Sequence, residues 1–239
     1  MIDKKYVTTR REPFYELARR VIAPSSKVLD IGAGNGDFAA YCNRPDFHLL
    51  DGNPESVRVL QKSYANAVWG ELPSIPFPDS FFSVVHCSHV IEHLQPQTLY
   101  ETLKEMDRVL AIGGFLIVST PLLTLNFYND LSHIKPYSQV VLLKYLCAGE
   151  SEGFSRTRPP VSTGYVLHEL QFRYAETYPL QSWYNTRRNI IVWAMLKIFS
   201  LLSRLGLRRI EKTGYTLVLK KTGNTARNAA GVNGVSPER

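Results

Sequence analysis

Three short clusters hold side chains of types and spacings that support chemistry. The first is Asp30-Ile31-Gly32-Ala33-Gly34-Asn35-Gly36, an acid followed by glycines at alternate positions. Glycines there let the backbone turn through left-handed φ values and let a ligand lie against the main chain. The second is Leu49-Leu50-Asp51-Gly52, an apolar run ending in an acid about twenty residues on, where a carboxylate can accept from both ribose hydroxyls. The third is His89-x-x-Glu92-His93, joined much later by His133. On one turn of helix, positions i, i+3 and i+4 share a face, so these imidazoles and the carboxylate can converge. Such groups do general acid–base work near neutral pH or hold a metal ion.

The glycine loop narrows the choice of nucleotide. A dinucleotide fingerprint needs glycine at position 37, where the chain has Asp37, and a phosphate-gripping P-loop needs a Gly-Lys-Ser/Thr ending that is absent. A carboxylate at Asp30 would repel a pyrophosphate but suits a ligand carrying positive charge. S-adenosylmethionine, with its sulfonium and α-amino group, is such a ligand.

Four ordered motifs, from about Lys27 to Pro121, carry a wider resemblance. They are the Asp30–Gly36 loop; Asp51; Gly70-Glu71-Leu72-Pro73 with Pro76-Phe77-Pro78-Asp79; and Arg108-Val109-Leu110 with Gly113-Gly114-Phe115-Leu116-Ile117-Val118. In this order they resemble the core of class I S-adenosylmethionine-dependent methyltransferases. The resemblance implies an α/β fold: a seven-stranded, doubly wound, Rossmann-like sheet whose last strand is antiparallel, with a helical or irregular insertion before it. It implies a cofactor site built from Asp30, Gly32, Ala33, Gly34, Gly36, Asp51, Gly52, Glu71, Leu72 and Ser88. Candidate catalytic groups are His89, Glu92, His93 and His133.

The Glu-His and His-x-x-Pro-Tyr pair is similar to the metal site of small-RNA 2′-O-methyltransferases and to quinone-pathway O-methyltransferases. This chain departs from that pattern at His89, where a carboxylate stands in those families. Magnesium prefers oxygen ligands, so no residue is assigned to a metal. Many family members carry similar residues only to tie two loops together, and that role stays open beside a histidine general base. No Asn/Asp-Pro-Pro-Tyr follows the fourth strand and no Pro-Cys pair occurs, which disfavours exocyclic-amine and pyrimidine C5 methylation. The expected function is O-methylation of a polar small molecule or of a glycan- or lipid-linked intermediate. The alternatives are RNA 2′-O-methylation and cofactor binding without catalysis; nucleic acid is disfavoured because no RNA-binding module or RNP-like motif is present.

These groups need elements to position them. The patterns predict a helix over Arg11–Val21, strands at Lys27–Ile31, Phe47–Asp51, Ala67–Trp69 and Phe82–Cys87, and helices from Gly36, from Pro54 and over Gln97–Leu110. A strand within Ile112–Ser119, a helix over Tyr137–Cys147 with Val140 among its apolar positions, and a last strand at Tyr215–Lys220 complete the core. Gly153-Phe154 resembles the start of the sixth strand, and residues 155–187 are expected to form substrate cover. One domain is expected over 1–221, with the cofactor half at about 27–121, the cover at about 122–212 and a disordered tail at 222–239.

The net charge is +7, with a basic N-terminal segment, an acidic middle and a basic C-terminal half. That asymmetry points to an anionic partner on the substrate side or to a solvated basic surface. Ile190–Leu207 reads as a strongly apolar helix bracketed by Arg187, Arg188, Arg208 and Arg209. It fits a helix packed on the sheet, an anionic membrane surface contacted through residues 187–209, or a dimer interface. Cys42, Cys87 and Cys147 are odd in number and widely spaced, as reduced cysteines of a cytoplasmic protein would be. No signal peptide is read at the start, so the expected place is the cytoplasm, with peripheral contact at the inner face of a membrane left open.

Overall fold

Uninterrupted apolar runs make strands that are buried on both faces, which is how parallel sheets covered by helices read. A computed structural model describes residues 2–124, 126–147, 158–177 and 209–223. Its strands are β1 (Val28–Ile31), β2 (His48–Asp51), β3 (Ala67–Trp69), β4 (Phe82–Ser88), β5 (Leu110–Pro121), β6 (Tyr165–Thr177) and β7 (Arg209–Lys221). They form a seven-stranded sheet in the order β3-β2-β1-β4-β5-β7-β6. β1 through β5 pair in parallel, and β7 runs antiparallel between β5 and β6. The order reverses between β1 and β4, and a doubly wound sheet opens its ligand crevice at that reversal.

The helices are α1 (Glu12–Arg19), α2 (Asp37–Cys42), α3 (Pro54–Leu60), α4 (Pro96–Val109) and α5 (Gln139–Leu146). Side chains alternate across the sheet. Val85, Cys87, Leu116 and Leu217 share a core with Leu103 and Met106 of α4 and Leu142 and Leu146 of α5. Val84, Ile117 and Val218 face the other way, toward Ala18 of α1, Phe38 of α2 and Leu60 of α3. The start of α3 has a local cause. Asn53 caps α3 by accepting from the Glu55 N–H at 3.0 Å, and Pro54 fits the first turn because its missing N–H would have had no partner.

Two expectations change. Gly153-Phe154, expected at the start of the sixth strand, lies outside the described residues; the sixth strand among those described runs from Tyr165. Part of the expected cover, 165–177, is therefore a strand of the sheet. It pairs with β7 along its length, with register shifts at Leu167/Glu169 and Arg173/Tyr174 that break the alternation a strand normally shows. Val140 is 40% exposed, because the inward face of α5 is set by Leu142, Leu143 and Leu146. The helix expected at 190–207, Arg187, Arg188 and Arg208, and residues 224–239 of the expected tail lie outside the described residues. Among those described, no helix is long and apolar enough to cross a membrane, and the three cysteines are free.

Candidate active site

A cleft of about 390 Å³ opens where β1 and β2 end, walled by Ile31, Gly32, Leu50, Asp51, Gly52, Gly70, Glu71, Leu72, Val90 and Leu94. The glycine loop shapes one wall. Gly32 has φ +70°, and a Cβ added there would collide with the Val90 side chain, so only glycine lets the loop after β4 come this close. Gly34 has φ +55° and opens onto free space. Its N–H donates to Asp51 Oδ2 at 2.8 Å, and the Asn53 N–H donates to Asp51 Oδ1 at 2.9 Å. Asp51 is thereby fixed at the cleft wall with lone pairs left to accept from a ligand.

Asp30 does something other than the expected counter-charge role. Its Oδ1 lies 2.7 Å from His86 Nδ1 on the adjacent strand, and both side chains are almost wholly buried. The His86 ring stacks on Phe38 with centroids 3.9 Å apart. Ala33 is buried, Gly36 starts α2 and Ser88 ends β4, paired with Ser119. Asp30, Ala33, Gly34, Gly36 and Ser88 are not walls of the cleft, whereas Gly32, Asp51, Gly52, Glu71 and Leu72 are.

The second cluster forms at the carboxyl end of β4. His89 has a left-handed φ of 57°, which histidine tolerates better than most residues, and its N–H donates to the Ser119 carbonyl at 2.8 Å. The turn swings the imidazole between two charged groups: Nδ1 is 3.2 Å from Glu92 Oε1, and Nε2 is 3.2 Å from Arg173 Nη1. A guanidinium can only donate. Nε2 therefore accepts, and the proton assigned to Nδ1 faces Glu92. Burial depresses the His89 pKa below the ordinary histidine value, against the pull of Glu92. Glu92 is fully buried and accepts from the Thr120 hydroxyl at 3.0 Å. Burial pushes its pKa up, but the neighbouring His89 ring and the hydrogen bond from Thr120 outweigh that and hold it below the usual carboxylate value.

The loop carrying His133 is strapped to the same turn. The Ile134 N–H donates to the Glu92 carbonyl at 2.9 Å, and the Tyr137 hydroxyl donates to the Leu94 carbonyl at 2.8 Å. His93 Nδ1 sits 3.0 Å from the Ser132 carbonyl, and His133 Nδ1 sits 2.6 Å from the Phe127 carbonyl. Glu92, His93 and His133 bring ligand atoms within 4.8 Å of one another, so this trio could hold an ion. The structure thus gathers the four expected catalytic residues into two neighbourhoods that share Glu92: His89 with Arg173 on one side, His93 with His133 on the other.

Comparison with known proteins points to one family. Residues 29–118 match a family model described as a methyltransferase domain. The fold is that of the class I S-adenosylmethionine-dependent methyltransferases. A malonyl-[acyl-carrier protein] O-methyltransferase of Herminiimonas arsenicoxydans is 42% identical over 101 residues, covering 41% of this chain and 38% of that protein. A demethylmenaquinone methyltransferase of Chlorobaculum parvum is 30% identical over 105 residues, covering 42% and 43%. The chain thus spans less than half the length of either relative. A solved S-adenosylmethionine-dependent methyltransferase from Archaeoglobus fulgidus superposes over 91% of this chain and 97% of that one, with a TM-score of 0.60 and 22% identity, and so shares the fold.

The cofactor of the family is S-adenosylmethionine, and the cleft fits it. Asp51 offers a carboxylate held in place by two backbone N–H groups, the space over Gly34 is one an added Cβ would fill, and Leu72, Val90 and Leu94 supply apolar walls for a flat ring. Sequence reasoning did not single out Val90, Leu94 or Arg173. Val90 and Leu94 flank the Ile91-Glu92-His93 turn it did single out, so a period of three to four around Glu92 could have found them. Arg173 had no local signal, because only the pairing of β6 with β7 carries it to His89.

Proposed function

We propose that this methyltransferase transfers the methyl group of S-adenosylmethionine to an oxygen of a polar small molecule or of a carrier-linked intermediate. When bound, the cofactor supplies a methyl group on a positively charged sulfur, open to in-line displacement, so positioning does most of the catalytic work. The carrying observation is the line of groups Glu92–His89–Arg173 at the carboxyl end of β4, an ion-pair contact of 3.2 Å followed by a hydrogen bond of 3.2 Å, beside the cofactor cleft. A guanidinium held beside His89 repels a protonated amine and attracts a hydroxyl or carboxyl oxygen. Asp51 and Gly34 hold the cofactor, Val90 and Leu94 keep water from its apolar side, and His89 orients Arg173. The match to an O-methyltransferase acting on a carrier-bound acid supports the same acceptor atom.

Methyl-¹³C-labelled cofactor tests this directly. Incubation with a panel of acids, alcohols and amines is expected to place the label in O-methyl products, read by carbon NMR. Label appearing only in N-methyl products would overturn the oxygen acceptor while leaving the methyltransferase reading intact.

A further inference from the structure

Arg173 is an unusual residue for its surroundings. It projects from β6 into the space between His89 and α1, with its guanidinium carbon 4.6 Å from the centre of the Phe14 ring. Guanidinium groups stack on aromatic faces readily, and that fixes the plane of this one. Of its five donors, one Nη1 hydrogen meets the His89 nitrogen, and Nε is buried with no partner. No carboxylate contacts it among the described residues; Glu92 is reached only through His89. A second cation stands nearby. Arg11, at the start of α1, accepts the Tyr15 N–H on its carbonyl at 3.0 Å and lies close enough to Arg173 and His89 to disfavour positive charge on both. A half-buried guanidinium without a counter-charge, with another cation nearby, is costly unless an anion arrives to share them.

We propose that Arg173 and Arg11 are the receptor for a carboxylate on the methyl acceptor, so that the substrate is an organic acid and the product its methyl ester. This rests on the oxygen-transfer reading above and names its substrate class. The state of His89 argues the same way. Nε2 already accepts from Arg173 and Nδ1 faces Glu92, so neither nitrogen is free to take a proton from an alcohol. His133 belongs to the other neighbourhood of Glu92, its ring packed against His93 and Phe127 away from Arg173. An alcohol would need such a base. A carboxylic acid, with a pKa of about 4, is ionised at neutral pH and brings its own electron pair. As its oxygen forms the new O–C bond, the S–C bond breaks and that pair stays on sulfur. The ester and the thioether are both left uncharged at the reacting atoms, and no proton is released.

The test uses hexanoate, 1-hexanol and hexylamine, which differ only in the head group, titrated into ¹⁵N-arginine-labelled protein saturated with S-adenosylhomocysteine. Hexanoate is expected to shift the Arg173 Nε–H resonance and to bind roughly tenfold or more tighter than the other two, the size of a charge-assisted hydrogen bond. Arg173→Met and Arg11→Gln are each expected to weaken hexanoate about tenfold and to leave S-adenosylhomocysteine affinity, measured by calorimetry, within about twofold. Arg11 is exposed at a helix end, so its variant stays informative if the Arg173 variant fails to fold. Hexanoate binding no tighter than hexanol, or unchanged in both variants, would overturn the proposal. So would a loss that appears in S-adenosylhomocysteine affinity instead, since the arginines would then serve the carboxylate of the cofactor's own amino acid. Wild type that binds hexanoate but not S-adenosylhomocysteine would overturn the methyl-transfer reading itself.

Discussion

Asp30 Oδ1 and His86 Nδ1 lie 2.7 Å apart across directly paired positions of β1 and β4, in the layer covered by α1 and α2. The pair links the strand before the glycine loop to the strand before His89. Removing one partner would leave the other polar group stranded in an apolar layer. His86→Ala is therefore expected to destabilise the fold by about 3–5 kcal/mol, read as a lower urea midpoint. Asp30→Asn, which keeps the shape and one hydrogen-bonding oxygen, should cost less.

The two glycines of the cofactor loop should separate stability from binding. Gly32→Ala drives a methyl group into Val90 at a left-handed position and is expected to cost about 1–3 kcal/mol in stability, partly recovered by adding Val90→Ala. Gly34→Ala meets no protein atom, so its stability cost should be limited to the roughly 1–2 kcal/mol of left-handed strain. Its methyl group would project into the cofactor space, and calorimetry with S-adenosylhomocysteine should show most of the damage there.

Asp51→Ala should weaken S-adenosylhomocysteine by about 1.5–3 kcal/mol, roughly ten- to a hundredfold in Kd, if the carboxylate bridges the ribose hydroxyls. A 2′-deoxyribose analogue should lose part of that energy in wild type and nothing further in the variant. Equal affinity of both proteins for the natural ligand would refute the ribose role.

The buried His89 gives a pH dependence whose direction is fixed. Its folded pKa lies below the unfolded value of about 6.5, because burial disfavours the charged ring. The unfolded chain binds the proton first as pH falls. The associated stability is thus complete above about pH 6.5 and is lost as pH drops through the lower, folded pKa. His48, also depressed by burial, adds a contribution of the same sign. His89→Asn tolerates the left-handed backbone and cannot protonate. Urea titrations between pH 7.5 and 5 should show a shallower decline in this variant than in wild type.

Chelation discriminates between the two neighbourhoods around Glu92. An ionised acid needs no metal to become nucleophilic, so treatment with a chelator is expected to leave methyl transfer to the acceptor unchanged. A loss restored by a divalent ion would place an ion on the Glu92, His93 and His133 trio instead.

The cofactor half was legible because its signals are local. Val28–Ile31 ends in glycines, Leu49–Asp51 ends in an acid, and each strand is followed within a few residues by the group it positions. The pairing of Asp30 was not legible, since a carboxylate beside a glycine loop looks the same whether it faces a ligand or a histidine 56 residues later. β6 was hidden for a different reason. Its bulges and its half-exposed positions, with His168, Glu169, Gln171 and Arg173 among the apolar residues, give neither the alternation of a surface strand nor the continuous apolar run of a buried one. Arg173 joins the site only through that strand, so long-range pairing had to be seen before its chemistry could be.

The place of β6 in the sheet has one more consequence. It is an outermost strand, and such a strand offers unpaired N–H and C=O groups to any passing chain, a template for aggregation. Here Val7 forms a parallel bridge with Tyr174, and the Thr8 N–H donates to the Tyr174 carbonyl at 2.9 Å, beside the bulge at Arg173. The residues leading into α1 thus act as a short clasp over the exposed border, covering it where the bulge has already bent it. That clasp also sets where α1 begins, so the segment that guards the sheet against self-association positions Arg11 and Phe14 beside Arg173.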